Sequence, residues 1–101
     1  MEDTLYNIQF NHRAKVALDV LSPEEKDSVL QAINRLRVSR IETGLGGNIQ
    51  RFKTDKPNEQ LYLLRVNSIF RIIFKFIIPD RIEILDIVMR DRLELFATHQ
   101  N

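Results

Sequence analysis

The fold class is decided by residues 61–89, which have the sequence LYLLRVNSIFRIIFKFIIPDRIEILDIVM. Three runs rich in β-branched and aromatic residues lie within this stretch, at residues 61–66, 70–78 and 81–89. They are separated by Asn67 and Ser68 and by Pro79 and Asp80, which are residues that favour turns. Short apolar runs joined by turns are typical of consecutive antiparallel strands. The stretch therefore predicts a β-meander.

The central strand of this meander has two different faces, because successive side chains of a strand point to opposite sides. One face carries Phe70, Ile72, Phe74 and Phe76. Burial of such side chains contributes roughly 1.5–3 kcal/mol each before entropy is counted, so we expect this face to pack on helices. The other face carries Arg71, Ile73, Lys75 and Ile77. It predicts a strip of positive charge turned away from the helices.

The sequence before the meander predicts further strands and a first helix. Residues 4–10 alternate loosely between apolar and polar side chains, which favours a strand. Asn11 offers an N-cap, and the apolar residues of 12–21 recur at the spacing of one helical stripe. A glycine-rich break at 44–48 is followed by residues 49–53, which favour a short strand.

A second helix is predicted to begin after Ser22. The Ser22 side chain can cap backbone N–H groups, Pro23 suits the first helical position, and Glu25 completes a capping box. The helix should run to about Val38, and its predicted core residues are Val29, Ile33 and Leu36. The predicted fold class is therefore α+β, with an N-terminal strand, a helical hairpin and a three- to four-stranded antiparallel meander.

Composition narrows the function classes. The 101 residues fit a single domain, 1–101. The chain has no cysteine and two histidines, which excludes disulfides and thiolate chemistry and disfavours a zinc site, so we expect no cofactor. The formal net charge is only +1, with 15 basic and 14 acidic residues, so any phosphate binding must come from local clustering.

The sequence also gives an expectation about location. No run approaches the roughly 18 apolar residues that cross a bilayer. Met1 is followed by Glu2 and Asp3, which is unlike a signal peptide. We therefore expect a cytoplasmic protein with no membrane partner.

The order of elements and three motifs resemble the RelE/ParE superfamily of toxins from type II toxin–antitoxin systems. The motifs are LYLLRV at 61–66, FRIIF at 70–74 and ILDIVMRDR at 84–92. They are similar to the family pattern of Tyr-x-Leu-Arg-Val, a short turn, Tyr-Arg-Ile-Ile-Tyr and a last strand ending in basic residues. The resemblance covers nearly the whole chain and implies a small antitoxin protein as partner in a hetero-oligomer.

The resemblance also implies an activity and a set of site residues. RelE-like members cut messenger RNA on the ribosome without metal, by attack of a ribose 2′-hydroxyl on the adjacent phosphate. The implied catalytic residues are Arg71, Arg90 and Phe96. The implied RNA-binding residues are Arg65, Lys53, Arg51, Arg92 and Tyr62. His99 is the candidate acid or base.

The chain departs from the catalytic pattern at two places. Catalytically strong RelE-like members carry a pair of lysines, or else a glutamate, on or just before the strand that corresponds to residues 61–64, and this stretch has no lysine. Phe96 stands where the family has a tyrosine. Phe96 keeps a stacking ring but has no hydroxyl for proton transfer. Structural roles also remain open: an ion pair with Glu83 for Arg71, and a solvated charge cluster for Arg92.

Three functions therefore stay open. The first is a RelE-like endonuclease that acts on the ribosome and messenger RNA. The second is a ParE-like toxin that poisons DNA gyrase without catalysing a reaction. The third is a weakened toxin that acts only as an antitoxin-binding or regulatory subunit.

Overall fold

A computed structural model describes residues 5–38, 48–52 and 59–93. In chain order the elements are β1 (Asn7–Phe10), α1 (His12–Asp19), α2 (Pro23–Arg37), β2 (Ile49–Phe52), β3 (Leu61–Arg65), β4 (Phe70–Ile77), β5 (Arg81–Met89) and a 3-10 turn (Arg90–Arg92). This order confirms the predicted α+β class. Lys53, the last residue of the predicted short strand, lies outside the described residues.

Both helices begin where the sequence predicts. The Asn11 side chain accepts a hydrogen bond from the Ala14 N–H at 2.9 Å and caps α1. In α2 the Ser22 hydroxyl accepts from the Glu25 N–H, and the Glu25 carboxylate accepts from the Ser22 N–H, so the capping box is complete. Within the described ranges, no helix has the length and apolarity that crossing a membrane requires.

The strands form one mixed sheet in the order β1-β5-β4-β3-β2. The four strands from β2 to β5 are antiparallel neighbours, as the meander prediction requires. The N-terminal strand β1 pairs parallel with β5 at the edge of the sheet, a position that the local pattern does not specify. The two helices lie between β1 and β2 along the chain, and parallel strands such as β1 and β5 need a long connection of this kind rather than a tight hairpin.

The main core lies between the helices and one face of the sheet. Its buried sheet residues include Phe70, Ile72, Phe74, Ile82 and Ile84. Its buried helix residues are Ala14, Leu18, Val29, Ala32, Ile33 and Leu36. The predicted inward face of the central strand is therefore confirmed. Aromatic packing continues to Phe76, whose ring meets that of Phe74 edge-on at 5.5 Å.

The other face of the sheet carries a second, smaller apolar cluster, which corrects the predicted positive strip. Ile73 is fully buried there with Leu61 and Leu63. Phe52, Leu85, Val88 and Leu93 pack around these three residues. Because this cluster fills the middle of the face, Arg71 and Lys75 are separated by a buried side chain and do not form a continuous charged surface.

Candidate anion-binding site

Three arginines lie near the end of the sheet at which the β3–β4 turn is found. Arg65, the last residue of β3, lies directly opposite Arg71 in the register of β3 with β4. Arg90 follows β5 and is close enough that its positive charge acts on Arg71. We call Arg65, Arg71 and Arg90 the arginine cluster. Like charges placed directly opposite in a sheet destabilise it, so this arrangement is costly unless an anion binds.

The turn between β3 and β4 fixes the geometry of the arginine cluster. The Asn67 side-chain oxygen accepts hydrogen bonds from the Ile69 N–H at 2.8 Å and the Phe70 N–H at 2.9 Å. The Ile69 carbonyl in turn accepts from the Arg90 N–H at 2.7 Å. An asparagine that bonds the backbone two and three residues ahead is a common way to close a turn. The turn therefore connects β3 to β4 and, through the Ile69 carbonyl, also holds Arg90 at the end of β5.

The Arg71 guanidinium is held against the same turn. Its Nη1 atom donates to the Asn67 carbonyl at 2.6 Å and to the Phe70 carbonyl at 3.0 Å. Desolvation lowers the pKa of Arg71, and the positive charges of Arg65 and Arg90 lower that pKa further. An arginine keeps its charge at physiological pH despite such a shift. Its remaining N–H groups are available as donors.

Within the part of the chain that the structure describes, no carboxylate forms an ion pair with the arginine cluster. The ion pairs there involve Lys15, Arg13 and Lys75, and none involves Arg65, Arg71 or Arg90. Arginines without a carboxylate partner favour an anion, because a planar guanidinium can donate two parallel N–H bonds to phosphate oxygens.

A cavity of about 230 Å³ lies beside two of these arginines. Its lining residues are Asn48, Gln50, Leu63, Arg65 and Arg71. Gln50 of β2 pairs with Leu63, and the Asn48 carbonyl accepts from the Arg65 N–H at 2.8 Å, so β2 forms one wall. The side-chain amides of Asn48 and Gln50 add neutral donors to the charged ones. The combination suits an anionic ligand.

Sequence reasoning missed Asn48, Gln50 and Asn67 as members of this site. Gln50 belongs to the same sheet face as Arg65 because its partner Leu63 is two residues before Arg65. Strand alternation in β2 would have found it once the register was known. Asn67 carried a turn signal, but nothing local indicated that its carbonyl would hold an arginine.

Two of the predicted RNA-binding residues lie on the opposite face of the sheet. Tyr62 belongs to the main core, where its ring stacks on Phe74 at 5.6 Å and meets Phe76 edge-on at 5.0 Å. Arg51 is the cross-strand partner of Tyr62 and therefore shares its face. The structure does not bring Arg51 or Tyr62 together with the arginine cluster.

Of the remaining predicted site residues, one is described by the structure and three are not. Arg92 is exposed in the 3-10 turn, two residues after Arg90. Lys53, Phe96 and His99 lie outside the described residues. The alternative ion pair between Arg71 and Glu83 is wrong. The Glu83 carboxylate instead lies 3.8 Å from the ammonium of Lys75, which also lies 3.5 Å from Glu59.

The described lining residues bring no proton-transfer group into the cavity, since amide, leucine and guanidinium side chains do not titrate near neutral pH. The one buried carboxylate among the described residues, Asp86, lies 3.9 Å from Arg13 of α1. Burial raises the pKa of Asp86, and the Ile87 N–H and Arg13 oppose that shift. Residues 5–38, 48–52 and 59–93 contain no group of three side chains suited to hold a metal ion.

Comparison with solved structures gives the same architecture. The RelBE2 toxin–antitoxin complex of Mycobacterium tuberculosis contains a chain that matches with a TM-score of 0.67 and 16% identity, over 86% of this chain and 100% of that one. The archaeal RelE–RelB complex of Pyrococcus horikoshii matches with a TM-score of 0.63 and 20% identity, over 88% and 99%. This chain has the RelE fold.

A third neighbour with the RelE fold comes from the intact RelBE complex of E. coli, with a TM-score of 0.52 and 17% identity over 82% of this chain and 94% of that one. No protein-family model matches the sequence, and no curated protein matches it either. A shared fold at such identities leaves the function to be argued from the site. Among the residues that the structure describes, the arginine cluster is the group of side chains from which we argue a function.

Proposed function

We propose that the chain is the toxin of a type II toxin–antitoxin system and a RelE-like, ribosome-dependent endonuclease of messenger RNA. The observation that carries this proposal is the arginine cluster beside the cavity, without a carboxylate partner among the described residues. The similarity in fold to chains from RelBE complexes supports such a function by analogy.

The reaction needs the groups that the cluster supplies. The ribose 2′-oxygen attacks the neighbouring phosphorus, the bond to the 5′-oxygen breaks, and the products are a 2′,3′-cyclic phosphate and a 5′-hydroxyl. Negative charge grows on the non-bridging oxygens as the new bond forms. Arg71 is the residue assigned to these oxygens, with Arg65 and Arg90 adding positive charge around them. Fixed donors aimed at developing charge are the largest contribution to many such reactions.

Two protons move in this reaction, because the 2′-hydroxyl loses one and the leaving 5′-oxygen gains one. His99 is proposed for one of these transfers, as the base or as the acid, since an imidazole changes charge near physiological pH. Water carries the other proton. Phe96 is proposed to stack on a nucleobase, which requires only a ring face. Arg92 is proposed as an outer contact to the RNA backbone. No metal takes part in this scheme.

The proposed partner is a small antitoxin. The chains that share this fold were solved in complexes of a toxin with its antitoxin. The proposed target, messenger RNA on the ribosome, places the activity in the cytoplasm. An antitoxin that carries carboxylates would neutralise the arginine cluster while it is bound.

A specific observation favours a second candidate. The described cavity-lining residues include no acid or base, as would be expected of a toxin that binds without catalysing a reaction. This class includes a gyrase-poisoning toxin and an antitoxin-binding regulatory subunit.

The test uses purified protein added to ribosomes that are translating a defined messenger RNA, with cleavage mapped by primer extension. We expect cuts at fixed positions within codons, carrying 5′-hydroxyl ends, and none with Arg71→Ala. The matched control is Lys75→Ala, which removes a cation from the same strand. Intact RNA with the wild-type protein would contradict the endonuclease. Supercoiling assays with purified gyrase then test the gyrase candidate.

A further inference from the structure

The turn between β3 and β4 contains an exposed residue with a role that the family pattern does not assign. We infer that Asn67 is a positioning residue for Arg71. It makes no contact with the cavity, whose lining residues are given above. Its effect on a bound phosphate would pass through the guanidinium that its carbonyl holds. The consequence for catalysis rests on the proposed function, whereas the positioning of Arg71 does not.

The hydrogen bonds define how Asn67 would act. The Asn67 side chain fixes the turn through two bonds to the N–H groups of Ile69 and Phe70. With the turn fixed, the Asn67 and Phe70 carbonyls lie where Arg71 Nη1 can donate to both, at 2.6 and 3.0 Å. The side chain of Asn67 therefore determines where its own carbonyl stands.

The competing force makes this restraint necessary. Arg71 faces Arg65 across the strands, and the charges of Arg65 and Arg90 act on it. A free arginine side chain would swing away from two neighbouring cations into water, because it has several rotatable bonds and a repulsive environment. Two carbonyl acceptors on the turn offset that repulsion. They keep one edge of the guanidinium occupied and leave the other edge for a ligand.

Other contacts of the same turn spread the effect beyond Arg71. The Val66 N–H donates to the Phe70 carbonyl at 3.1 Å, so that one carbonyl serves both the turn and the arginine. The Ile69 carbonyl accepts from the Arg90 N–H. A displaced turn would therefore move Arg90 as well as Arg71.

The first readout is nuclear magnetic resonance of the Arg71 guanidinium in the full chain. In the wild type, the two hydrogen bonds at Nη1 should slow rotation and solvent exchange and give separate Nη proton signals. With Asn67→Ala, these signals should merge into those of a freely rotating arginine. The matched control is Ser68→Ala in the same turn, where no hydrogen bond of the side chain to the described residues exists. It should leave Arg71 unchanged.

Rescue separates positioning from a general loss of structure. Asn67→Asp keeps an oxygen that can accept from the same two N–H groups, and aspartate forms such turns readily. It should restore the separate Arg71 signals. If Asn67→Ala fails to fold, Asn67→Ser replaces it, because a serine hydroxyl makes the same bonds more weakly, and intermediate signals are expected. Wild-type Arg71 signals in Asn67→Ala, or in its serine substitute, would overturn the inference.

The second readout is affinity for inorganic phosphate, followed through the Arg71 Nε signal. Asn67→Ala should weaken phosphate binding about tenfold, as expected when a charged hydrogen-bond donor is no longer held in place. Weaker binding with unchanged Arg71 signals would also overturn the inference.

Cleavage on ribosomes then distinguishes the two proposals. If the endonuclease function and the positioning role of Asn67 both hold, Asn67→Ala lowers kcat more than it raises KM. The reason is that a displaced Arg71 loses contact with the transition state more than it weakens RNA binding. Wild-type protein that cuts no RNA, with Arg71 signals that depend on Asn67 as described, would refute the proposed function and leave the positioning role standing.

Discussion

At the scale of single residues, the central feature is a pair of arginines placed opposite each other on neighbouring strands. Arg65 and Arg71 repel each other in the free protein, and this repulsion is relieved when an anion lies between their N–H groups. The site therefore carries a cost to stability that makes sense if it binds phosphate. Sites of function commonly retain such local conflicts.

This conflict gives a prediction for Arg65→Gln. Removing one charge should slightly stabilise the free protein at low salt, because like charges directly opposite in a sheet destabilise it and solvent screens the repulsion of exposed charges. The measurement is urea denaturation at low salt. The matched control is Arg81→Gln, which neutralises an exposed arginine at the start of β5, away from the cluster.

The same pair of variants tests whether an anion binds beside Arg65. Replacing chloride with sulfate at equal ionic strength should raise the unfolding midpoint of the wild type and of Arg81→Gln more than that of Arg65→Gln, since a ligand of the folded state stabilises it. Arg65→Gln that is less stable than the wild type in chloride, with an equal response to sulfate, would contradict the placement of Arg65.

The sequence predicted Arg71 as a site residue but not its surroundings. Strand alternation is a local property, so the face of Arg71 followed from its neighbours in the chain. The register that places Arg65 opposite depends on the turn. Lys75 is neutralised in part by Glu59, which precedes β3 and is distant in sequence. Such long-range contacts have no local signal.

At the scale of elements, β4 is buried on both faces. Its inward face packs on the helices, and Ile73 on the other face is fully buried in the second cluster. Sequence alternation predicted the inward face correctly and treated the other as open. The error came from the flanking strands, because Leu61 and Leu63 of β3 also face the second cluster. Burial of a strand face depends on its neighbours as much as on itself.

The second cluster gives a prediction for Ile73→Ala. Removing this side chain from a filled cluster should cost about 2–5 kcal/mol of the free energy of unfolding, through lost burial and the cavity left behind. The measurement is urea denaturation. The control is Ile78→Ala, a large apolar side chain that is 89% exposed, for which a change within about 0.5 kcal/mol is expected. Similar losses for both variants would contradict the cluster.

The last strand shows a second limit of pattern-based prediction. The register shifts so that Ile73 pairs with Asp86 and Phe74 pairs with Ile84, which leaves Leu85 as the extra residue of a β-bulge in β5. The sequence predicted the strand over 81–89 correctly. It gave no sign of the bulge, because the extra residue is apolar like its neighbours.

At the scale of the whole molecule, the bulged strand contacts the first helix through an ion pair between the buried Asp86 and the exposed Arg13. Asp86 is 8% exposed and accepts a hydrogen bond from the Ile87 N–H at 2.8 Å. Its carboxylate lies 3.9 Å from Arg13 Nε, at the N-terminal turn of α1. β1 leads directly into α1 and pairs with β5. This contact therefore joins the two ends of the described fold.

The pair gives a pH-dependent prediction. Burial raises the folded-state pKa of Asp86, so the protonated form is favoured in the folded state. The stability that Asp86 contributes is then fully present below its unfolded-state pKa and is lost as the pH rises through the folded-state pKa. The free energy of unfolding of the wild type minus that of Asp86→Asn should therefore fall as the pH rises from acidic values toward neutral.

A variant of the partner sharpens this test. Arg13 opposes the shift of the Asp86 pKa, so Arg13→Gln should raise that pKa further and extend the loss of stability to higher pH. Thermal unfolding between about pH 3 and pH 7 provides the measurement. A difference between wild type and Asp86→Asn that grows with pH would contradict the stated direction.

The measurement that tests the central claim most directly is induced expression in bacteria, with transcript 5′ ends mapped across the genome. Three forms are compared: the wild type, Arg71→Ala and the same-strand control Lys75→Ala, with protein levels matched. We predict growth arrest with codon-phased cuts for the wild type and Lys75→Ala, and at least about a 100-fold reduction in cutting for Arg71→Ala. Arrest with intact transcripts, or equal cutting by Arg71→Ala, would contradict the account.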